Sequence, residues 1–105
     1  EVYWVSFDDS IGEEIQKTRP AIIISSDVSN RVVRRVQVIP LTTNISKLYP
    51  CEAYVLVNGK KCKAMADQIV TASKYRLKEK IAVISAEDME EVERAIKTQL
   101  DLHDK

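Results

Sequence analysis

Histidine, cysteine and long apolar runs are scarce in this 105-residue chain, and each shortage excludes a class of function. The single histidine is His103 in the C-terminal tail, so a pair of imidazoles cannot act as general acid and general base. Two cysteines and one histidine do not make the ligand set of a zinc site, and we expect no metal and no cofactor. No apolar run approaches the roughly 20 residues of a membrane-spanning helix, and no signal-like leader is visible. We therefore expect a cytoplasmic protein without a membrane partner.

Net charge is also absent, because 16 basic residues balance 16 acidic ones. Any attraction to nucleic acid must then come from local clusters rather than from bulk charge. Acidic residues concentrate between Glu87 and Glu93 near the end of the chain. Basic residues crowd the middle, at Arg31, Arg34, Arg35, Lys47, Lys60, Lys61, Lys63, Lys74, Arg76, Lys78 and Lys80.

The two cysteines are predicted to be free thiols. A two-residue hairpin turn at Asn58-Gly59 places Cys62 opposite Val55, and Cys51 then lies several pairs away. A disulfide between them is not expected, and free thiols are the usual state in a reducing compartment.

Short runs rich in β-branched residues, followed by one helix, predict a single domain over residues 1–105 that is mainly β with a C-terminal helix. Helical spacing of Met89, Val92, Ile96 and Leu100 after Ser85 predicts that one stripe of this helix packs on a small antiparallel barrel. Shorter helical turns are predicted at 26–30 and 71–77. The predicted strands cover residues 2–7, 21–25, 31–41, 52–57, 60–69 and 80–84.

Polar chemistry adjoins two of these strands. Residues 8–18 form a polar loop of about a dozen residues that contains Glu14, and loops of that length are usually functional or mobile. Pro20 restricts Arg19 to an extended conformation at the entrance of the second strand, and Thr42 opens a Thr-Thr-Asn turn after the third. This arrangement can bring a carboxylate, a guanidinium and a hydroxyl together.

Each of these residues also has an ordinary structural role. Glu14 and Arg19 alone would be a surface salt bridge worth under about 1 kcal/mol, Thr42 and Thr43 would be turn residues, and Phe7 would be core. The basic middle of the chain would be a solvated face. Only their joint occurrence in one ordered pattern favours a site.

That ordered pattern resembles the MazF/PemK (Kid) family of toxins over nearly the whole chain. The residues that carry the resemblance are Tyr3-Trp4-Val5-Ser6-Phe7-Asp8, Gly12, Glu14, Lys17-Thr18-Arg19-Pro20, Ala21-Ile22-Ile23-Ile24-Ser25, Pro40-Leu41-Thr42-Thr43-Asn44, Asp67-Gln68-Ile69 and the terminal helix. One departure is Asp9, where the family often has proline, and this bears on the closed position of the Glu14 loop and not on its chemistry.

The resemblance implies the SH3-like barrel shared by MazF, PemK and CcdB and a homodimeric toxin of a type II toxin–antitoxin system, bound by a cognate antitoxin. It further implies a metal-independent, sequence-specific endoribonuclease, an mRNA interferase, that cuts single-stranded RNA to a 2′,3′-cyclic phosphate and a 5′ hydroxyl. The implied catalytic residues are Glu14, Arg19 and Thr42. The implied RNA-binding residues are Phe7, Gln16, Lys17, Thr43, Asn44, Asp67 and Gln68.

These side chains suit the implied chemistry. Glu14 would be the base for the 2′ hydroxyl, although a guanidinium nearby lowers a carboxyl pKa and weakens it as a base, so RNA binding must partly desolvate it. The planar fork of Arg19 suits a phosphate, and Thr42 could donate to the developing oxyanion, an effect worth about 2.7–4 kcal/mol at comparable sites. The alternative is a CcdB-like toxin that binds gyrase without cutting RNA and needs none of these three residues.

Overall fold

The computed structural model describes residues 1–7 and 18–102. In these residues the chain forms seven strands, two α-helices and two single turns of 3-10 helix at Ala66–Gln68 and Lys74–Arg76. The strands are β1 (Val2–Ser6), β2 (Thr18–Ile23), β3 (Arg35–Thr42), β4 (Glu52–Val57), β5 (Lys60–Met65), β6 (Val70–Ser73) and β7 (Leu77–Ala82), and the helices are α1 (Asp27–Val32) and α2 (Ala86–Leu100).

All strand pairs are antiparallel, in the order β4-β5-β3-β2-β1-β7, with β6 also paired to β3. The prediction of a mainly β fold with a C-terminal helix is therefore confirmed. Strand β3 is the centre of the sheet because it pairs with three others, β2, β5 and β6.

Each face of the sheet has its own cluster of buried residues. Alternate residues of a strand point to opposite faces, so Ile22 and Ile39 enter one cluster while Ala21 and Val38 enter the other. Helix α2 covers the first cluster through Val92 and Ala95. The second, smaller cluster is extended by partly buried side chains that include Phe7.

Helix α2 begins at the predicted residue and packs on the predicted side, with one correction. Ser85 is the N-cap, and its hydroxyl accepts a hydrogen bond from the Asp88 N–H at 3.1 Å. Leu100 was expected in the packed stripe but is 49% exposed, because the helix ends there and Asp101 adopts a left-handed conformation as its C-cap.

Helix α2 also satisfies the backbone of the edge strand β4. The Asp88 carboxylate accepts from the Leu56 N–H at 2.9 Å, and the Arg94 guanidinium donates to the carbonyls of Pro50 and Glu52 at 3.0 and 2.8 Å. Backbone groups that would otherwise template another strand are thereby paired. Asp88 and Arg94 of α2 thus supply hydrogen bonds to the backbone of β4, as a neighbouring strand would.

Several predicted element bounds are wrong. The second strand starts at Thr18 rather than Ala21, so Arg19 lies inside it. Residues 31–32 are the last two residues of helix α1, whose N-cap is Ser26. The third strand therefore begins only at Arg35. The predicted strand 60–69 ends at Met65, where its partner β4 runs out at Glu52.

Two further predictions need correction at the end of the sheet. The helical turn predicted for 71–77 is a strand, β6, followed by a 3-10 turn at Lys74–Arg76. The last strand covers Leu77–Ala82 rather than 80–84, because its pairing with β1 already begins at Val5↔Leu77.

The hairpin turn is confirmed, and so is the pairing inferred from it. Asn58 and Gly59 both have positive φ, 51° and 82°, as a two-residue turn between twisted strands requires. Val55 pairs with Cys62, and both cysteines are free, with Cys62 buried and Cys51 half-buried.

We expect Cys51 to react with a thiol reagent well before Cys62. Burial raises the pKa of the Cys62 thiol, and its side chain is only 5% exposed, so little thiolate is accessible at neutral pH. Timed alkylation with iodoacetamide followed by peptide mass spectrometry measures the order. Equal rates at both cysteines in the folded protein would contradict this packing.

Candidate active site

The register between β2 and β3 places Arg19 beside Thr42. Ala21 pairs with Pro40 where the two strands meet, and two further residues along each strand lead to Arg19 and Thr42. Residues two apart share a face, so both side chains lie on the face of the second core cluster. Arg19 is held on its other side by its pairing with Val5.

Pro40 interrupts the opposite edge of β3 and makes room for a third element. Strand β5 pairs with Leu41 and Thr42, and β6 pairs only up to Val38. Proline has no N–H to donate to a ladder, and the 3-10 turn Ala66–Gln68 bridges this gap. The turn brings Gln68 to the same place as Pro40.

Two adjoining clefts result, and Arg19 lines both. The first, with a volume of about 430 Å³, is the Phe7 cleft and is lined by Phe7, Arg19, Pro40, Gln68 and Val70. The second, of about 290 Å³, is the Thr42 cleft and is lined by Arg19, Pro20, Leu41, Thr42 and Thr43. A guanidinium therefore stands between an apolar, aromatic cleft and a hydroxyl-lined one.

The Phe7 cleft has an apolar wall. Phe7 packs against the second core cluster, which contains Val5, Ala21 and Val38, and Val70 is 41% exposed at the rim. A flat aromatic ring beside an amide side chain is the combination that stacks an unpaired base and reads its edge.

The Thr42 hydroxyl is oriented by the turn that follows it. Its Oγ1 accepts a hydrogen bond from the Asn44 N–H at 3.2 Å, and Asn44 Oδ1 accepts from the N–H and the hydroxyl of Ser46 at 3.3 and 2.9 Å. A hydroxyl has one donor and two acceptor positions. With an acceptor position used by the backbone, the Thr42 O–H can donate to a bound ligand.

Arg19 is exposed, and no described carboxylate lies within ion-pair distance of its guanidinium. Its five donors form a fork that matches two oxygens of a phosphate. Within residues 1–7 and 18–102, no three histidine, cysteine or acidic side chains are grouped so that they could hold a metal ion. The described side chains thus offer charge and hydrogen bonds to an anion.

The predicted site residues divide into three groups. Phe7, Arg19, Thr42, Thr43 and Gln68 line the two clefts. Asn44 and Asp67 are exposed next to lining residues, and Glu14, Gln16 and Lys17 lie outside the described residues.

The sequence did not single out four of the lining residues as site residues: Pro20, Pro40, Leu41 and Val70. The first three belonged to the resemblance motif, and Val70 could have been found only from the pairing of β6 with β3. None of the described helices has the length and apolar character needed to cross a membrane.

Comparison with known proteins agrees with this architecture. The sequence profile of the PemK-like, MazF-like toxins of type II toxin–antitoxin systems matches residues 1–100. The chain therefore belongs to the PemK/MazF toxin family.

Two relatives that are named MazF proteins match nearly the whole chain in sequence. It is 32% identical to the endoribonuclease MazF9 of Mycobacterium tuberculosis, covering 97% of this chain and 94% of that protein. It is 33% identical to the endoribonuclease MazF of Staphylococcus saprophyticus, with 98% and 90% covered.

A solved structure has the same fold. The crystal structure of MazF from Deinococcus radiodurans matches with a TM-score of 0.77 at 26% identity, covering 96% of this chain and 93% of that one. The same protein in a MazE–MazF crystal structure matches with a TM-score of 0.68 at 25% identity, covering 81% and 87%.

Proposed function

We propose that this chain is the toxin of a type II toxin–antitoxin pair and acts as a metal-independent endoribonuclease on single-stranded RNA. The observation that carries the proposal is the shared position of Arg19 between the Phe7 and Thr42 clefts. One cleft can take a base and the other a phosphate. Full-length relatives that bear the name endoribonuclease support the same activity.

In this mechanism the RNA supplies its own nucleophile. The 2′ oxygen forms a bond to the adjacent phosphorus, its proton passes to the Glu14 carboxylate, and the bond from phosphorus to the 5′ oxygen breaks. The leaving oxygen takes a proton from water, which gives a 2′,3′-cyclic phosphate and a 5′ hydroxyl. Glu14 is assigned by the family pattern, and in the sequence it lies between Phe7 and Arg19, which line the clefts.

Arg19 and Thr42 stabilise the charge that develops on the phosphate. The guanidinium does not lose its proton at neutral pH, so we assign Arg19 to electrostatic stabilisation rather than to proton transfer. The Thr42 O–H donates to a second phosphate oxygen. Donors fixed before the substrate arrives cost no reorganisation during the reaction.

Base selection belongs to the residues around the Phe7 cleft. Phe7 stacks a base, and the amide of Gln68 bonds to its edge. Thr43 lines the Thr42 cleft, and Asn44 and Asp67 are exposed next to lining residues in the sequence. We assign these three to contacts with neighbouring nucleotides, and the family pattern assigns Gln16 and Lys17 to the same role. Several short polar contacts of this kind can select a short sequence.

Membership of the family supports proposals for the partners and for the compartment. A type II toxin is paired with an antitoxin protein, and the Deinococcus relative was crystallised as MazE–MazF. A disordered antitoxin segment that folds over the clefts would block RNA. We further propose a homodimer, in which a groove across the two-fold axis lengthens the RNA path, and a cytoplasmic location, where mRNA is available.

Replacement of Arg19 by alanine should lower the cleavage rate at least about 100-fold, the loss typical of removing one oxyanion donor. Arg19 is exposed, so the circular dichroism spectrum and melting temperature should stay near those of the wild type. The assay is cleavage of a mixed single-stranded RNA pool with mapping of the fragment ends. Arg31→Ala, an exposed arginine outside both clefts, is the control, and undiminished cutting by Arg19→Ala would remove the mechanism.

Replacement of Thr42 by valine keeps the side-chain shape and removes the hydroxyl. We expect a cleavage rate about 100-fold lower and a loss of about 1 kcal/mol of stability, since the Asn44 N–H loses its acceptor. Thr42→Ser keeps the hydroxyl and should retain most activity. Single-turnover kinetics on one RNA compare the two variants, and a fully active Thr42→Val would exclude this role.

Chelation should leave the reaction unchanged, because the proposed donors are side chains. RNA cleavage with and without EDTA, at fixed ionic strength, makes the comparison. A requirement for magnesium would contradict the mechanism, and intact RNA together with gyrase inhibition would support the CcdB-like alternative.

A further inference from the structure

A buried ion pair lies directly beside Thr42. Lys63 pairs with Thr42 across β3 and β5 and with Tyr54 across β4 and β5, and its Nζ is 3.1 Å from Glu52 Oε1. Only 10% of the Lys63 side chain and 8% of the Glu52 side chain are exposed. Charges are rarely buried to this extent unless they are paired.

Both members of the pair also bond to the backbone of the segment 43–51, which joins β3 to β4. Lys63 Nζ donates to the Lys47 carbonyl at 2.7 Å, and Glu52 Oε1 accepts from the Tyr49 N–H at 2.9 Å. Tyr54, the neighbour of Lys63, donates its hydroxyl to the Ile45 carbonyl at 2.9 Å. Three side chains of the hairpin β4–β5 therefore anchor the segment at every second residue from 45 to 49.

The anchored segment begins at the Thr42 cleft. Thr43 lines that cleft, and Asn44 holds the Thr42 hydroxyl through its N–H. Movement at residues 45–49 would be transmitted to Asn44 through its bonds to Ser46. The position of the Thr42 oxygen thus depends on contacts made several residues away.

We infer that Glu52, Lys63 and Tyr54 are positioning residues for the proposed ribonuclease site, acting by fixing the segment 43–51. The inference rests on the proposed function, since it concerns the rate of that reaction. A displacement of about 1 Å in a reacting group can lower a rate by about 100-fold. None of the three residues lines either cleft, so they act through the segment.

The test compares a single with a double substitution. This comparison separates an effect on the position of the segment 43–51 from an effect on the stability of the protein. Lys63→Met leaves the Glu52 carboxylate buried without its partner, so the melting temperature and the cleavage rate should both fall. Glu52→Gln/Lys63→Met removes both charges and should recover much of the melting temperature. The segment still lacks the bond to the Lys47 carbonyl, so kcat should stay at least about 10-fold low while KM changes less.

Two further measurements make the result specific. Hydrogen exchange at the amides of 43–49 should be faster in the double variant and unchanged elsewhere in the sheet. Tyr54→Phe removes only the bond to Ile45 and should lower kcat without unfolding the protein. Lys80→Met, which breaks the half-exposed Lys80–Glu1 pair with its distance of 3.2 Å, is the control and should keep the wild-type rate.

The outcomes are distinguishable. Wild-type kcat and wild-type exchange in both the double variant and Tyr54→Phe would overturn the inference while the proposed function stands. Faster exchange at 43–49 together with a lower kcat supports it. A wild-type protein that cuts no RNA contradicts the proposed function, and the inference with it.

Discussion

Residue pairing along β3 is the constraint on which the site depends. The pair Ala21↔Pro40 fixes how far Arg19 lies from Thr42, and a slip of one residue would move both side chains to the other face. The register is secured because Ile22 and Ile39 are buried in the core and cannot be turned toward solvent without losing that burial. The chemistry of the clefts is therefore held by the same contacts that hold the sheet.

Pro40 connects the sheet to the clefts in a second way. Pro40 offers no N–H on this edge, and the pairing with β3 shifts by three residues between β5 and β6, from Leu41↔Ala64 to Val38↔Val70, so the 3-10 turn Ala66–Gln68 takes up the extra residues. Gln68 of this turn lines the same cleft as Phe7. An interruption of regular structure is the physical origin of the larger cleft.

The segment between β3 and β4 shows how a polar connection can be ordered in a small domain. Its backbone is bonded to Glu52, Lys63 and Tyr54 on the adjacent hairpin, and Arg94 of α2 bonds to the carbonyl of Glu52. The terminal helix is thereby linked to β4, the strand that carries two of the three anchors, Glu52 and Tyr54. Two charges inside the protein are tolerated because each has a charged partner and a backbone partner.

Local patterns in the sequence determined the type of most elements. The alternation of 52–57, the Asn58-Gly59 turn and the Ser85 cap were each predicted from neighbouring residues, and the structure confirms them. The ordered motif also led to Arg19, Thr42, Phe7 and Gln68 as candidates.

Contacts between residues distant in the sequence decided the rest. Three features depend on which strand lies opposite: the start of β2, the 3-10 turn after Met65 and the burial of Lys63. No local sequence pattern encodes which strands pair. In the sequence, Lys63 looks like any basic residue of a solvent-exposed strand. Its burial follows only from the positions of Glu52 and the Lys47 carbonyl in the folded chain. The sequence therefore determined which chemical groups are available, and only the tertiary structure decided which of them meet, because antiparallel register is set by burial across the whole sheet.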